Sequence, residues 1–359
     1  MPVKCEQGGD LEAQADSVAD LRNERFAFTG NASEYFRIWI ISLCLTIVTL
    51  GFYSPWAKVR KRRYLYRSTR LAEGSFDYHA DPIAILKGRL IAVVLLAIYV
   101  ASSYFAPGIE AFLGFAIFAA IPWLIVRSRM FNARYTSYRN LRFRFDPVYG
   151  EAYTVIVGWS LLAGLTLGLL YPHAHYRRSA MIVNNSHFGN LDFVLPNVSG
   201  GFYARYIHVS LLMLGALIVL GVLATLLPSD GVSIDDPGSA VAVTAVIIGL
   251  VVAMGLAASY LGPAIAKLVI GSMNIGDHRM NCHWSVPRVV FINFTNLVAI
   301  ALTLGLAIPW ATVRLQRYQF ENMSIDVAGE LDSIIATQAD EVSAMGEEIG
   351  EAFDIDIGF

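Results

Sequence analysis

A chain of 359 residues that is 55% hydrophobic and 16% charged, with a mean hydropathy of +0.51, is not an ordinary soluble domain, because those carry about 25% charged residues. Its net charge of −2 excludes nucleic acid as a partner of the chain as a whole. Three scattered cysteines, Cys5, Cys44 and Cys282, exclude a disulfide framework.

The first 25 residues are polar and acidic, with Glu6, Asp10, Glu12, Asp16 and Asp20 and no basic n-region. They read as a disordered cytosolic tail rather than a signal peptide. Unit 1 (26–141) opens on the alternating Phe26-Ala27-Phe28 and an apolar segment over 38–56 that contains Thr49-Leu50-Gly51 and Pro55-Trp56. The basic run Lys58, Arg60, Lys61, Arg62 and Arg63 follows, then the alternating Ser75-Phe76-Asp77-Tyr78. Apolar segments over 90–106 and 110–126 complete the unit, the second ending in Pro122-Trp123 and leading to Arg127 and Arg129.

Unit 2 (142–277) has the same order. Phe143-Arg144-Phe145 leads into segment 152–172 with Thr166-Leu167-Gly168 and Pro172-His173, then Arg177 and Leu191-Asp192-Phe193-Val194, then segments 206–227 and 239–262. A partial unit 3 (278–327) has Met280-Asn281-Cys282, segment 289–310 with Thr303-Leu304-Gly305 and Pro309-Trp310, then Arg314 and Ser324-Ile325-Asp326-Val327. The offsets of 117 and 137 residues hold from strand to arginine, which marks an internal repeat. The tail from 328 to 359 is acidic, and its apolar residues fall at helical spacing, which reads as an amphipathic helix or a solubilising tail.

The expected fold is a mainly α polytopic membrane protein: seven apolar helical segments in internal repeats, with short cytosolic β-strands. Most of the uncharged runs are near or above the roughly 20 residues needed to cross hydrocarbon. Segments 1, 4 and 7 leave two topologies open. If all seven span, 17 Lys and Arg fall inside and 10 outside; if these three re-enter, all 27 lie on one face, as the positive-inside rule favours. The second arrangement also lets six short strands share one layer, and Gly51, Gly168 and Gly305 with Pro55, Pro172 and Pro309 supply the breaks that re-entry needs.

The stretch from Phe26-x-Phe28-x-Gly30-Asn31 through Glu34-Tyr35-Phe36-Arg37-Ile38-Trp39, Thr49-Leu50-Gly51 and Pro55-Trp56-Ala57-Lys58-Val59-Arg60 to Arg62-Arg63-Tyr64 resembles the YjgN-like family. The resemblance is strongest over 26–95 and weakens to about 327. It implies a multi-pass bacterial inner-membrane protein, with a cytoplasmic C-terminus on the charge reading, and it brings no catalytic residues. His173 departs from the tryptophan of the other units, Trp56 and Trp310.

The basic residues Lys58, Arg60, Lys61, Arg62, Arg63, Arg127, Arg129, Arg177 and Arg314 read as topology determinants or as sites for anionic lipid headgroups. Trp56, Trp123 and Trp310 read as interfacial anchors. His173 with His175, and His278 with Cys282 and His283, lack the spacing of a closed metal site, so neither metal nor cofactor is expected. Asn293, Thr295 and Asn296 lie within segment 7, where hydrogen bonding between helices is the plain reading. No catalytic signature is present. Function therefore divides between transport or permeation of a small solute, suggested by repeats and Gly/Pro-broken segments, and a non-catalytic scaffold that binds anionic lipid. Membrane lipids are the expected partners, with a second copy of the chain or another membrane protein as the alternative class.

Overall fold

The computed structural model describes residues 21–105, 107–225 and 237–328. Residues 1–20 and 329–359 of the two tails, and residues 226–236, lie outside the described residues; residues 21–25, read as part of the disordered tail, and Ala328 belong to strands.

Strands and helical pairs alternate. β1 (Leu21–Phe28) is followed by α1 (Ala32–Val48), α2 (Ser54–Arg67), β2 (Thr69–Leu71) and β3 (Gly74–Tyr78). Next come α3 (Pro82–Phe105), α4 (Pro107–Arg134), β4 (Thr136–Tyr138) and β5 (Leu141–Phe145). The third pair is α5 (Tyr149–Tyr153), continued through a π-helical turn (Thr154–Gly158) into α6 (Trp159–Leu165), and then α7 (Tyr171–Asn184). β6 (Ser186–Phe188) and β7 (Leu191–Val194) follow, then α8 (Ser199–Thr225), α9 (Pro237–Ser272), β8 (Asn274–Ile275) and β9 (His278–Cys282). α10 (Val286–Leu302), α11 (Ile308–Glu321) and β10 (Met323–Ala328) complete the described chain.

Every strand pairs antiparallel with its sequence neighbour, and β1 pairs with β10, which closes a ten-stranded barrel. Connections in such a meander alternate between the two ends. The tight turns (β2–β3, β4–β5, β6–β7, β8–β9) therefore share one end, and all five helical pairs leave from the other. Residues at positive φ, among them Ala72, Arg139, Asn140, Gly189 and Gly276, begin or complete the turns, as two-residue hairpins of right-twisted strands require. The bore is filled by Phe26, Leu71, Tyr138, Phe188, Met280, Ile325 and Val327.

This corrects the expected architecture of a mainly α protein with seven apolar helices in repeats. The closed ten-stranded barrel overturns it, and four helices among the described residues are long and apolar enough to cross a membrane: Pro82–Phe105, Gly108–Arg134, Ser199–Val222 and Val243–Ser272. Segments 1, 4 and 7 are each two shorter helices, such as the 17-residue α1 and 14-residue α2, and both ends of each pair join adjacent strands of the barrel. Strands of two or three residues gain little from one neighbour. Closing the ring removes their free edges and makes them stable.

The break in these three pairs has one geometry. Leu50, Leu167 and Leu304 each sit at φ 50°, followed by Gly51, Gly168 and Gly305 at φ 95°, 89° and 94°. The threonine before each leucine closes the turn: Thr49 Oγ1 donates to Leu45 O and accepts from Tyr53 N, and Thr166 and Thr303 act alike on Leu162 O with Leu170 N and on Ala299 O with Ala307 N. The glycine N–H reaches back five residues, to Thr46 O, Ala163 O and Ile300 O at 2.7, 2.7 and 2.8 Å. Every N–H from Thr49 to Ser54 therefore has an acceptor within its own pair. The leucines are 92%, 96% and 95% exposed. A turn that satisfies its own backbone and presents leucine outward suits hydrocarbon.

Candidate functional site

The second helix of four pairs carries a buried proline, at its start in α2, α7 and α11 and in its interior in α4, and runs from it in one register. Pro55, Pro122, Pro172 and Pro309 each precede the first residue of the next strand (Thr69, Thr136, Ser186 and Met323) by fourteen positions. The face seven, ten, eleven and fourteen residues after the proline therefore points the same way in each pair.

That face lines a cavity of about 620 Å³ where the helices meet the barrel. α4 contributes Arg129, Asn132 and Ala133, with Thr136 at the start of β4; α2 contributes Leu65 and Tyr66, and α7 contributes Ile182 and Val183. Gln316 and Phe320 of α11 and Met273, just after α9, close the ring. The second helices of four pairs and the link after α9 therefore border one space against the barrel. Its floor toward the bore is aromatic: the ring centroids of Phe26 and Phe76, Phe76 and Phe143, and Phe143 and Phe193 are 6.3, 6.5 and 6.4 Å apart, and Phe320 lies 6.4 Å from Phe26.

A second cavity of about 480 Å³ shares Arg129 and Asn132 with the first and adds Arg62, Ser128, Ile121, Leu124 and Ile125. Along α4, residues 121, 124, 125, 128, 129, 132, 133 and 136 form one helical stripe, so the two spaces follow each other along one wall. Arg62 Nη1 donates to Tyr78 OH at 3.2 Å and to Asn132 Oδ1, and Arg62 lies 5.5 Å from the Tyr78 ring centroid. Asn132 Nδ2 donates to Ser128 O at 2.6 Å. Burial, then the guanidiniums of Arg62 and Arg89, hold the Lys58 ammonium below its ordinary value. Arg89 in turn donates to Ser54 Oγ.

Of the basic residues singled out in the sequence, only Arg62 and Arg129 reach these cavities. Arg60, Lys61 and Arg63 lie elsewhere on α2, with Arg63 Nε donating to Tyr78 O at 3.1 Å. Arg127 lies over Trp123 at 5.6 Å. Arg314 lies over Trp310 at 5.1 Å and donates to Thr295 Oγ1 and Asn296 Oδ1 at 2.8 and 3.1 Å. Arg177 packs beside His173, its Nε buried and without an acceptor among the described residues. Gly51, Gly168 and Gly305 lie at the tips and Pro55, Pro172 and Pro309 at the following helix starts, away from the chamber, with Trp56 stacked on Tyr53 and Trp310 half-exposed. No group of three or more candidate metal ligands converges among the described residues.

Sequence reading missed Asn132, Ser128 and the aromatic floor. Phe26, Phe76, Phe143 and Phe193 were visible only as alternating strand residues. Their convergence depends on barrel closure, which no local pattern records.

The chain belongs to the family described as bacterial protein of unknown function (DUF898), which matches residues 23–352. It is 25% identical to the inner membrane protein YjgN of Salmonella typhimurium (strain LT2) over 370 aligned residues, covering 89% of this chain and 92% of that protein. Proteins of the same name from Escherichia coli O157:H7 and strain K12 are 26% and 28% identical over 160 residues, covering 44% of this chain and 40% of each. No solved structure matches the chain.

Proposed function

We propose that this member of the family is a multi-pass protein of the bacterial inner membrane, with the barrel and C-terminus on the cytoplasmic side, that passes a small solute along its axis. It acts without catalysis. The chamber carries this reading: it is bordered by helices of four pairs and by Met273 after α9, it continues along α4 toward membrane depth, and its floor is a row of phenylalanines. Side chains held by packing alone can swing between rotamers, so that floor serves as the gate. The orientation rests on Lys58, Arg60, Lys61, Arg62, Arg63, Arg127, Arg129, Arg177 and Arg314, all in the stretches of second helix that run from the prolines to the barrel. Positive charge favours the cytoplasmic face, and the relatives carry inner membrane in their names.

The test is solute uptake by liposomes containing the purified chain, run across anionic, cationic and neutral solutes. Uptake above empty liposomes for at least one class, raised in the Phe76→Ala variant, supports permeation. Uptake indistinguishable from empty liposomes in both proteins sinks it.

One observation favours a second reading, a non-catalytic binder of anionic lipid: both cavities are lined by arginine and by no carboxylate.

A further inference from the structure

Arg129 stands at the junction of the two cavities, is exposed, and makes no hydrogen bond or ion pair with any described residue. Several other arginines have partners, Arg67 in Asp77, Arg205 in Ala264 O and Gly201 O, Arg314 in Thr295 and Asn296, and Arg317 in Gly30 O, while Arg177 and Arg178 keep a buried Nε without an acceptor but line neither cavity. Across the second cavity, Arg62 spends only Nη1 on Tyr78 and Asn132, which fixes the guanidinium and leaves Nε and Nη2 without an acceptor among the described residues. Arg62 and Arg89 both stand close enough to Lys58 for like charges to repel, and no carboxylate lines either cavity. Both guanidiniums are open to the cavity, Arg129 exposed and Arg62 half-buried, so their unspent donors are available to an entering anion.

The apolar side of the same cavity has a direction. Ile121, Leu124 and Ile125 lie on the stripe of α4 that ends at Ser128, Arg129 and Asn132. Eight residues of helix from Ile121 to Arg129 cover about 12 Å, the reach of a short alkyl chain. The charged end lies toward the barrel and the apolar end toward the middle of a helix that is long enough to span.

We infer that this cavity takes an anionic amphiphile, its phosphate-type headgroup held between Arg62 and Arg129 and its alkyl portion lying along Ile121, Leu124 and Ile125. The inference rests on the reading of the chamber as the ligand path and names the class of ligand that enters it. The guanidiniums supply forked donors suited to phosphate oxygens, and the Ser128 hydroxyl adds a donor on the same face. The anionic group has two sources, a phospholipid drawn from the bilayer or a soluble phosphate.

The experiment measures binding to the purified full-length chain in a neutral detergent, with three probes: dihexanoyl phosphatidic acid, the matching dihexanoylglycerol, and inorganic phosphate. Phosphatidic acid is expected to bind saturably and tighter than either of the others, with Arg129→Gln weakening it on the order of tenfold and Arg60→Gln, outside both cavities, leaving it unchanged. Equal binding of dihexanoylglycerol overturns the role of the charge, and equal binding of inorganic phosphate overturns the role of the chain. A phosphatidic acid bearing a photoactivatable chain gives a second readout on the unmodified protein. Crosslinks over 121–125 support the placement, and crosslinks confined elsewhere overturn it. Failure of all binding in a protein that still passes solutes into liposomes overturns this inference and leaves permeation standing. Binding without flux of any solute supports it and overturns permeation.

Discussion

The side-chain amide of Asn23 donates to Asp326 Oδ1 at 2.6 Å across 303 residues of sequence. Asn281 Nδ2 donates to the other oxygen, also at 2.6 Å, so a carboxylate on β10 is held by an amide from each neighbouring strand. These bonds, Asn23 first and Asn281 second, hold the Asp326 carboxyl below its ordinary value. On the same seam His278 Nδ1 accepts from Ala328 N at 3.1 Å, and burial holds its imidazole below the ordinary histidine value. Both signs lead to acid sensitivity. The unfolded chain takes up the histidine proton more readily than the native one, so stability falls as pH drops below about 6.5. The Asp326 contribution is complete above about 4 and is lost as pH falls through its lower folded value. Unfolding followed by tryptophan fluorescence between pH 7 and pH 3 is expected to fall in two stages. Asp326→Asn is expected to cost about 1 kcal/mol at pH 7, discounted for exposure, and to shrink the lower stage alone, the remainder belonging to Asp77, which Arg67 also holds below its ordinary value. An unchanged lower stage refutes the assignment.

The tip of the fifth pair yields a second prediction. Gly305 sits at φ 94°, so Gly305→Ala forces a side chain into a strained conformation at a cost of about 1–2 kcal/mol. Its Cβ would meet only Ile308 Cδ1, at 3.7 Å, so the cost comes from the backbone and not from a clash. Thr303→Val keeps the shape but removes the acceptor of Ala307 N, and an amide left unpaired costs about 1–3 kcal/mol. Both variants are expected to unfold at lower temperature in detergent, with Thr303→Ser close to wild type. Full stability of Thr303→Val would mean that the hydroxyl does not close the turn.

What could be read from the sequence follows from the length scale of each feature. The Thr-Leu-Gly tips were legible as a pattern because three adjacent residues carry each one, although the pattern did not disclose that the threonine caps the turn. Six stretches of alternating residues fall within β1, β3, β5, β7, β9 and β10. β2, β4, β6 and β8 have only two or three residues, too few for a period of two to register. Closure rests on the pairing of Arg22 with Val327 and its neighbours, a relation between the two ends of the described chain that no window contains. Pro122-Trp123 was visible as an echo of Pro55-Trp56, yet its consequence, that α4 turns Arg129 and Asn132 toward the chamber, depends on where the following strand begins. Arg129 and Arg177 looked alike in the sequence. Only the register of their helices places the first on the chamber wall and the second beside His173.

The aromatic floor predicts opposite effects on stability and flux. Phe76 contacts Phe26, Tyr138 and Phe143, with centroids 6.3, 4.8 and 6.5 Å away. Removing a packed aromatic ring costs about 3–5 kcal/mol when fully buried, and Phe76 is only partly buried, so Phe76→Ala is expected at or below the lower end of that range. If the floor is the gate, the same variant raises solute uptake by liposomes. Phe76→Leu is expected to restore most of the stability and to return flux toward wild type. Lost stability with unchanged flux would assign Phe76 to the core alone.

The arrangement of connections makes the sharpest prediction about orientation. All four tight turns share the barrel end opposite the helices, so their tips must lie on one side of the membrane. Glu73 in the β2–β3 turn and Asp277 in the β8–β9 turn are both exposed, and two pairs of helices long enough to span separate them in sequence. Single cysteines at Glu73 and Asp277, in a background without Cys5, Cys44 and Cys282, can be probed with a membrane-impermeant maleimide. Protection of both in intact cells, with labelling of both after permeabilisation, is expected, since the basic helix ends place the barrel in the cytoplasm. Labelling of both in intact cells would keep the barrel and reverse its orientation. Labelling of one and protection of the other cannot be reconciled with a closed barrel, because strands on opposite sides of a bilayer cannot pair.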